Sequence, residues 1–170
     1  MMGAGKSSIG RALAELTGRT FVDTDLVLQQ RLGRSISQIF QIYGEDAFRD
    51  HEASVMRSLE PSLSVLSTGG GIVLRDENWA EFQRLGLTIF LDASIETIIE
   101  RLTVSKKKRP LLQVDDWESR TKAIWESRVE IYRRADVTVR VDDVDLSNGA
   151  ERVLAAIRQY EGHADQPSER

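Results

Sequence analysis

Residues 3–10, Gly3-Ala4-Gly5-Lys6-Ser7-Ser8-Ile9-Gly10, carry the pattern that decides the fold. Glycines running into Lys-Ser form the back half of the phosphate-binding pattern G-x-x-x-x-G-K-[ST]. In that chemistry, glycine backbone N–H groups wrap phosphate oxygens, and the helix N-terminus behind them adds partial positive charge. A lysine reaches the outer phosphates and a hydroxyl ligates Mg²⁺, roles that fall to Lys6 and Ser7. Ile9, Leu13 and Leu16 follow at helical spacing, and Gly18 ends the helix. The alternative is a glycine-rich turn with a solvated lysine, and the helical pattern directly behind Lys6 argues against it. The first glycine of the pattern would precede Met1, as would the apolar strand that feeds such a loop. The expectation is therefore that Met1 is an internal methionine taken as a start.

Outward from this turn, short apolar runs alternate with helical patterns. Strands are expected over Thr20 to Asp23, Ser64 to Ser67, Thr88 to Leu91 and Val137 to Val141. Helices are expected over 25–32, 35–43, 46–59 and near 117–133, the second opened by Ser35 with Gln38 three residues on, a capping-box pattern. This alternation predicts an α/β fold with a parallel sheet covered by helices on both faces. At 170 residues the chain fits a single domain, taken as 1–161, with a basic lid over about 103–116 and a disordered polar tail over 162–170. A net charge of −4 and a pI near 5.3 argue against nucleic acid or an anionic membrane as partner. No run approaches the ~20 apolar residues of a membrane span. With no cysteine and two histidines, thiolate catalysis, disulfides and zinc sites of the usual kind are excluded. A cytoplasmic monomer is expected.

Beyond the loop, Asp23 and Asp25 stand two apart at the end of a strand, so both can leave on one face. Near a phosphate loop such carboxylates suit holding Mg²⁺ and orienting an acceptor hydroxyl; the plainer reading is acidic helix caps. Arg128 lies on the apolar stripe of its helix with Trp117, Ile124, Ile131 and Tyr132, so its charge faces inward and needs an anion. That anion is either a protein carboxylate or a ligand. Arg49 has Glu45 and Glu52 at helical spacing and could simply pair with them on a solvated face. Gly69-Gly70-Gly71 after a strand exceeds what a plain turn needs and allows close backbone approach to a ligand. Arg109 in Lys106-Lys107-Lys108-Arg109-Pro110 suits either solubility or a loop closing over phosphates. His51 reads as a bystander, and the tryptophans as packing residues.

These segments, in this order, resemble the shikimate kinase family. The resemblance rests on residues 2–10, Asp23-Thr24-Asp25, Gly33-Arg34-Ser35-Ile36, Gly44-Glu45, Phe48-Arg49 with Glu52, Ser67 to Gly71, Arg109-Pro110-Leu111-Leu112, and Arg128 with Tyr132, covering about positions 2 to 141. It implies a nucleoside-monophosphate-kinase-like P-loop fold with parallel strands in the order 2-3-1-4-5, the first strand missing from this chain. It also implies transfer of the ATP γ-phosphate to the 3-hydroxyl of shikimate, on the way to chorismate and the aromatic amino acids.

Carried over by position, the resemblance makes Lys6, Asp25 and Arg109 catalytic, with Asp25 as base. ATP would be held by Gly3, Ala4, Gly5, Lys6, Ser7, Ser8, Arg101 and Arg109, and Mg²⁺ by Ser7 and Asp23. Shikimate would be held by Asp25, Arg49, Gly70, Gly71 and Arg128. The chain departs from the family in the absent first glycine and strand, in three consecutive lid lysines, and in having no arginine over 142–145. The alternatives are another small-molecule kinase of this fold, such as a gluconate kinase, or a non-catalytic binding protein built on it.

Overall fold

A computed structural model of the chain describes residues 1–105, 112, 115–142 and 144–164. Helix α1 (Lys6–Thr17) begins at Gly5, whose φ of 93° is one that L side chains rarely adopt. It stops at Gly18, whose N–H reaches back to the Ala14 and Glu15 carbonyls. Strand β1 (Thr20–Asp23) runs directly into α2 (Thr24–Leu32), and the Asp23 side chain caps α2 by accepting the Asp25 N–H. Helix α3 (Ile36–Ser58) opens on the expected Ser35–Gln38 capping box. Its two halves meet at Gly44 (φ 81°, ψ 177°), which is where the sequence separated two helices. There follow β2 (Ser64–Ser67), a 3-10 turn (Ile72–Leu74), α4 (Glu77–Leu85), β3 (Ile89–Asp92), α5 (Ile95–Thr103), α6 (Trp117–Tyr132), β4 (Val137–Arg140) and α7 (Leu146–Ala164).

The strands form two parallel pairs. β1 lies beside β2, with Asp23 opposite Ser67, and β3 lies beside β4, with Ile89 opposite Val137 and Asp92 opposite Arg140. They are the second to fifth strands of the expected order. Between the pairs, in the place of the first, lies a cavity of about 440 Å³. Its walls include Val65 and Leu66 of β2, Phe90 of β3, Leu13 of α1 and Ile157 of α7. Helices flank the strands as expected, and β4 forms an edge. Val137 and Val139 of β4 are buried while Thr138 and Arg140 are exposed, the alternation of an edge strand with one open face.

One apolar cluster joins α1, β3, β4, α5, α6 and α7 through Ile9, Phe90, Val139, Ile98, Ile124 and Val153. A second joins α2 to α3 through Leu28, Ile39, Phe48 and Val55, with the rings of Phe40 and Phe48 4.3 Å apart. Each such fully buried side chain contributes roughly 1.5–3 kcal/mol, so α2 and α3 dock as one unit beside the first strand pair. Among the described residues no helix is long and apolar enough to cross a membrane. Helix α7 continues through Gly162 and His163 to Ala164, into the stretch expected as a tail. Residues 165–170, and most of the expected lid including Lys106 to Arg109, lie outside the described residues.

Candidate functional site

The amino-terminal turn folds as its glycines require. Gly3 and Gly5 have φ of 78° and 93°, and the Gly5 carbonyl takes the Ile9 N–H at 2.8 Å to start α1. Lys6 Nζ donates to the Met1 carbonyl at 2.7 Å. Ser7 Oγ donates to Asp23 Oδ2 at 2.8 Å and lies 3.4 Å from Ser67 Oγ. Ser8 is exposed on the first turn of the helix. Asp23 satisfies both readings given to it, because Oδ1 accepts the Asp25 N–H at 3.0 Å while Oδ2 faces Ser7. Asp23 and Ser67 sit opposite each other at the C-terminal ends of paired parallel strands, the edge where open α/β sheets take ligands.

Ser7 and Asp23 supply a hydroxyl and a carboxylate, hard oxygens of the kind Mg²⁺ takes, and their 2.8 Å separation suits neighbouring positions around an ion that binds oxygen at about 2.0–2.1 Å. Among the described residues no group of three or more His, Asp and Glu gathers around one point. The protein groups therefore fit an ion that takes its remaining oxygens from ligand phosphates and water.

Asp25 belongs to the first turn of α2 rather than to the strand, and this turns it toward the glycine loop. A Cβ at Gly69 would lie 3.1 Å from Asp25 Oδ1 and, under the 3.0 Å that real Cβ atoms keep, against Glu52 Oε1. A Cβ at Gly71 would overlap the Arg49 guanidinium in the same way. The run of glycines is thus fixed by what presses on it: two carboxylates at one end and a cation at the other.

Arg49 makes both ion pairs that helical spacing suggested, with Glu45 at 2.9 Å and with Glu52. The solvated face expected for them is not what the structure shows, since Arg49 is 7% exposed and Glu52 5%. The reason is that α3 lays this stretch, from Phe48 to Met56, against the interior. Arg49 Nε is a buried donor that has no partner among the described residues. Burial pushes the Glu52 carboxyl up to about 7, with Arg49 opposing the rise and Asp25 adding to it. Burial also works against the Arg49 charge, but Glu52 and Glu45 outweigh it and its pKa is raised. Glu52 is marked in the sequence as a partner of Arg49 and as part of the family resemblance, with no site role of its own; its signal is its place three residues beyond Arg49 and four beyond Phe48.

Arg128 is 9% exposed, as its position on the apolar stripe of α6 requires. Its guanidinium acts electrostatically on the Tyr132 hydroxyl and on Glu52. Among the described residues no carboxylate lies within ion-pair distance of it. Lys6 and Arg128 both act on the buried Met1 α-amine, which burial above all holds well below its ordinary pKa. Lys6, Arg128, Glu52 and Asp25 therefore form one electrostatic neighbourhood around the glycine loop.

Arg101, for which composition and spacing offered no argument, is a brace. It donates to the Val141 carbonyl at 2.7 Å and to the Ala4 carbonyl at 3.4 Å, tying α5 to the phosphate loop and to the chain leaving β4. Arg109 lies outside the described residues. His51 meets the Tyr43 ring edge-on at 6.2 Å. Trp79 packs edge-on against Phe82 and under Arg134, in keeping with its reading as a packing residue.

A sequence-family profile described as Shikimate kinase matches residues 2–158. The shikimate kinase of Thermodesulfovibrio yellowstonii is 38% identical over 161 residues, covering 94% of this chain and 91% of that protein. Among solved structures, shikimate kinase from Acinetobacter baumannii in complex with shikimate superposes with a TM-score of 0.87 at 34% identity, covering 93% of this chain and 89% of the other. A gluconokinase from Sinorhizobium meliloti 1021 superposes with a TM-score of 0.59 at 20% identity over 95% of this chain and 90% of the other, a likeness of fold alone.

Proposed function

The chain belongs to the shikimate kinase family, and from that premise we propose how its residues divide the work of moving the γ-phosphate of ATP onto the 3-hydroxyl of shikimate. The reaction needs little covalent chemistry from the protein, so its parts are positioning and charge neutralisation. Backbone N–H groups of Gly3, Ala4 and Gly5, with Ser8 on the first turn of α1, receive the phosphates at a helix N-terminus. Lys6 leaves the Met1 carbonyl for the outer phosphates. Ser7 and Asp23 hold Mg²⁺, which when bound neutralises developing phosphate charge. Arg101 fixes the loop from the nucleotide side, and Arg109 comes onto the phosphates from the lid.

Asp25 accepts the proton of the attacking hydroxyl, and its position on the first turn of α2 keeps it against the glycine loop where that hydroxyl is presented. The Gly70 and Gly71 N–H groups, which donate to none of the described hydrogen bonds, are offered to the acceptor. Arg49 and Arg128 clamp its carboxylate. The observation that carries this reading is the pair of buried guanidinium groups, one with an unpartnered Nε and one outside every described ion pair. Arg128, a buried cation outside every described ion pair, is stabilised when an anion joins it, and a planar fork is the geometry that grips a carboxylate. The same reading takes residues 1–161 as one kinase domain with its lid over about 103–116. It acts as a cytoplasmic monomer on small molecules, with neither nucleic acid nor membrane as partner.

A coupled ADP-release assay tests this, run with shikimate beside gluconate and nucleoside monophosphates. ADP release should depend on shikimate, with shikimate 3-phosphate as the product by mass. Faster turnover of either competitor, or binding of shikimate with no phosphoryl transfer, would overturn it.

A further inference from the structure

Three consecutive glycines give a loop the greatest conformational freedom a chain can have. If Gly70 and Gly71 are to aim donors at a ligand, something outside the loop has to fix their peptide planes. Tyr132, the last residue of α6, is placed to do this. It is 6% exposed, and its ring stacks on Phe90 of β3 with centroids 5.3 Å apart and planes 21° apart. Its hydroxyl donates to the Gly70 carbonyl at 2.6 Å, and the guanidinium of Arg128, one turn earlier on the same helix, acts electrostatically on it. A phenol has one proton to give, and Gly70 O takes it.

The Gly70 carbonyl and the Gly71 N–H belong to one planar trans peptide unit and point in opposite directions. Pinning the carbonyl toward α6 therefore aims the Gly71 N–H away from α6, and that N–H donates to none of the described hydrogen bonds.

We propose that Tyr132 is a positioning residue of the acceptor site, its hydroxyl fixing through the Gly70 carbonyl the direction in which the Gly71 N–H is offered. The proposal rests on the functional reading above, which assigns that N–H to shikimate. Phenylalanine at 132 keeps the ring, the stack on Phe90 and the helix, so only the hydrogen bond to Gly70 is lost.

The test is calorimetric binding of shikimate and of ATP, measured separately, to the unaltered chain and to Tyr132→Phe. Tyr132→Phe should weaken shikimate tenfold or more and leave ATP within twofold. Unchanged shikimate affinity overturns the proposal, as does equal weakening of both ligands, which would mean general loosening. If Tyr132→Phe does not fold, 4-aminophenylalanine at 132 decides, because it retains a donor: affinity near that of the unaltered chain supports the proposal and a tenfold loss overturns it. Failure of the unaltered chain to bind shikimate removes the functional reading and this proposal together, whereas binding that ignores Tyr132→Phe removes the proposal alone.

Discussion

Gly71→Ala is the smallest change that probes the whole acceptor site. The added Cβ would overlap the Arg49 guanidinium, inside the 3.0 Å that real Cβ atoms keep, and ordinary contact needs about 3.5 Å. The guanidinium must retreat by about 1 Å. It cannot do so freely, since Glu45 and Glu52 hold it and it stands over the Phe48 ring at 5.1 Å. Overpacking of this kind costs roughly 1–3 kcal/mol, and a 1 Å misplacement of a positioning group can cost on the order of 10²-fold in rate.

The expected result is a shikimate KM raised at least tenfold and a melting temperature lowered by a few degrees, with the ATP KM within twofold. Two neighbouring changes give the scale. At Gly70 a Cβ would meet the Met1 backbone at 3.3 Å, tight but not overlapping, so Gly70→Ala should be the milder variant. At Gly162, in the last turn of α7, nothing lies within 4 Å, so alanine there should leave both KM values and the melting temperature nearly unchanged. Steady-state kinetics and thermal melts read all three. A folded Gly71→Ala variant with an unaltered shikimate KM would refute the claim that Arg49 seats the substrate carboxylate.

Arg128→Ala should weaken shikimate by roughly 2–5 kcal/mol in calorimetry, the usual loss for removing one side of a desolvated charge pair, and leave ATP nearly untouched; equal loss of both ligands would count against the clamp. Glu52 gives a pH dependence whose sign is fixed. Its folded pKa of about 7 lies above the ordinary 4.5, so the native state holds the extra proton, and this contribution to stability is complete below about 4.5 and lost as pH rises through about 7. An anionic ligand beside it binds the protonated form better, so shikimate affinity should fall through the same range with proton uptake on binding near pH 7, and Glu52→Gln should flatten both. Finally, an apolar extension ending in glycine, such as Ile-Val-Leu-Val-Gly placed ahead of Met1, should enter the cavity between β2 and β3. Filling about 440 Å³ at about 24 cal/mol per Å³ amounts to roughly 10 kcal/mol, and ordering five residues at roughly 1–2 kcal/mol each takes back much of it; a rise in melting temperature of about 10 °C is expected, and no rise over a Ser-rich extension of equal length would mean the cavity does not accept a strand.

What could be read in advance and what could not divides along a physical line. The amino-terminal turn was legible because its requirements are local: the conformation of Gly5 and the start of α1 at Lys6 are settled within one turn. The four strands and the capping box at Ser35 were legible for the same reason, and even the break at Gly44 showed as a gap between two helical patterns. Arg128 was half legible, since periodicity put its charge on an apolar stripe but left open whether a carboxylate of the protein met it. The burial of Arg49 was not legible, because the spacing of Glu45 and Glu52 is the same whether a helix face is wet or buried, and only the packing of α3 against the interior decides which. Spacing put Glu52 beside Arg49 and Tyr132 on the stripe of Arg128, but did not show what either acts on across the fold. Burial above all raises the Glu52 pKa, with Arg49 opposing and Asp25, 27 positions earlier, adding to it, while the Tyr132 hydroxyl acts on Gly70, 62 positions away. Roles of that kind belong to the space between elements, so the glycine loop, where three distant segments press on a backbone without side chains, is the part of the molecule where sequence reading had to give way to coordinates.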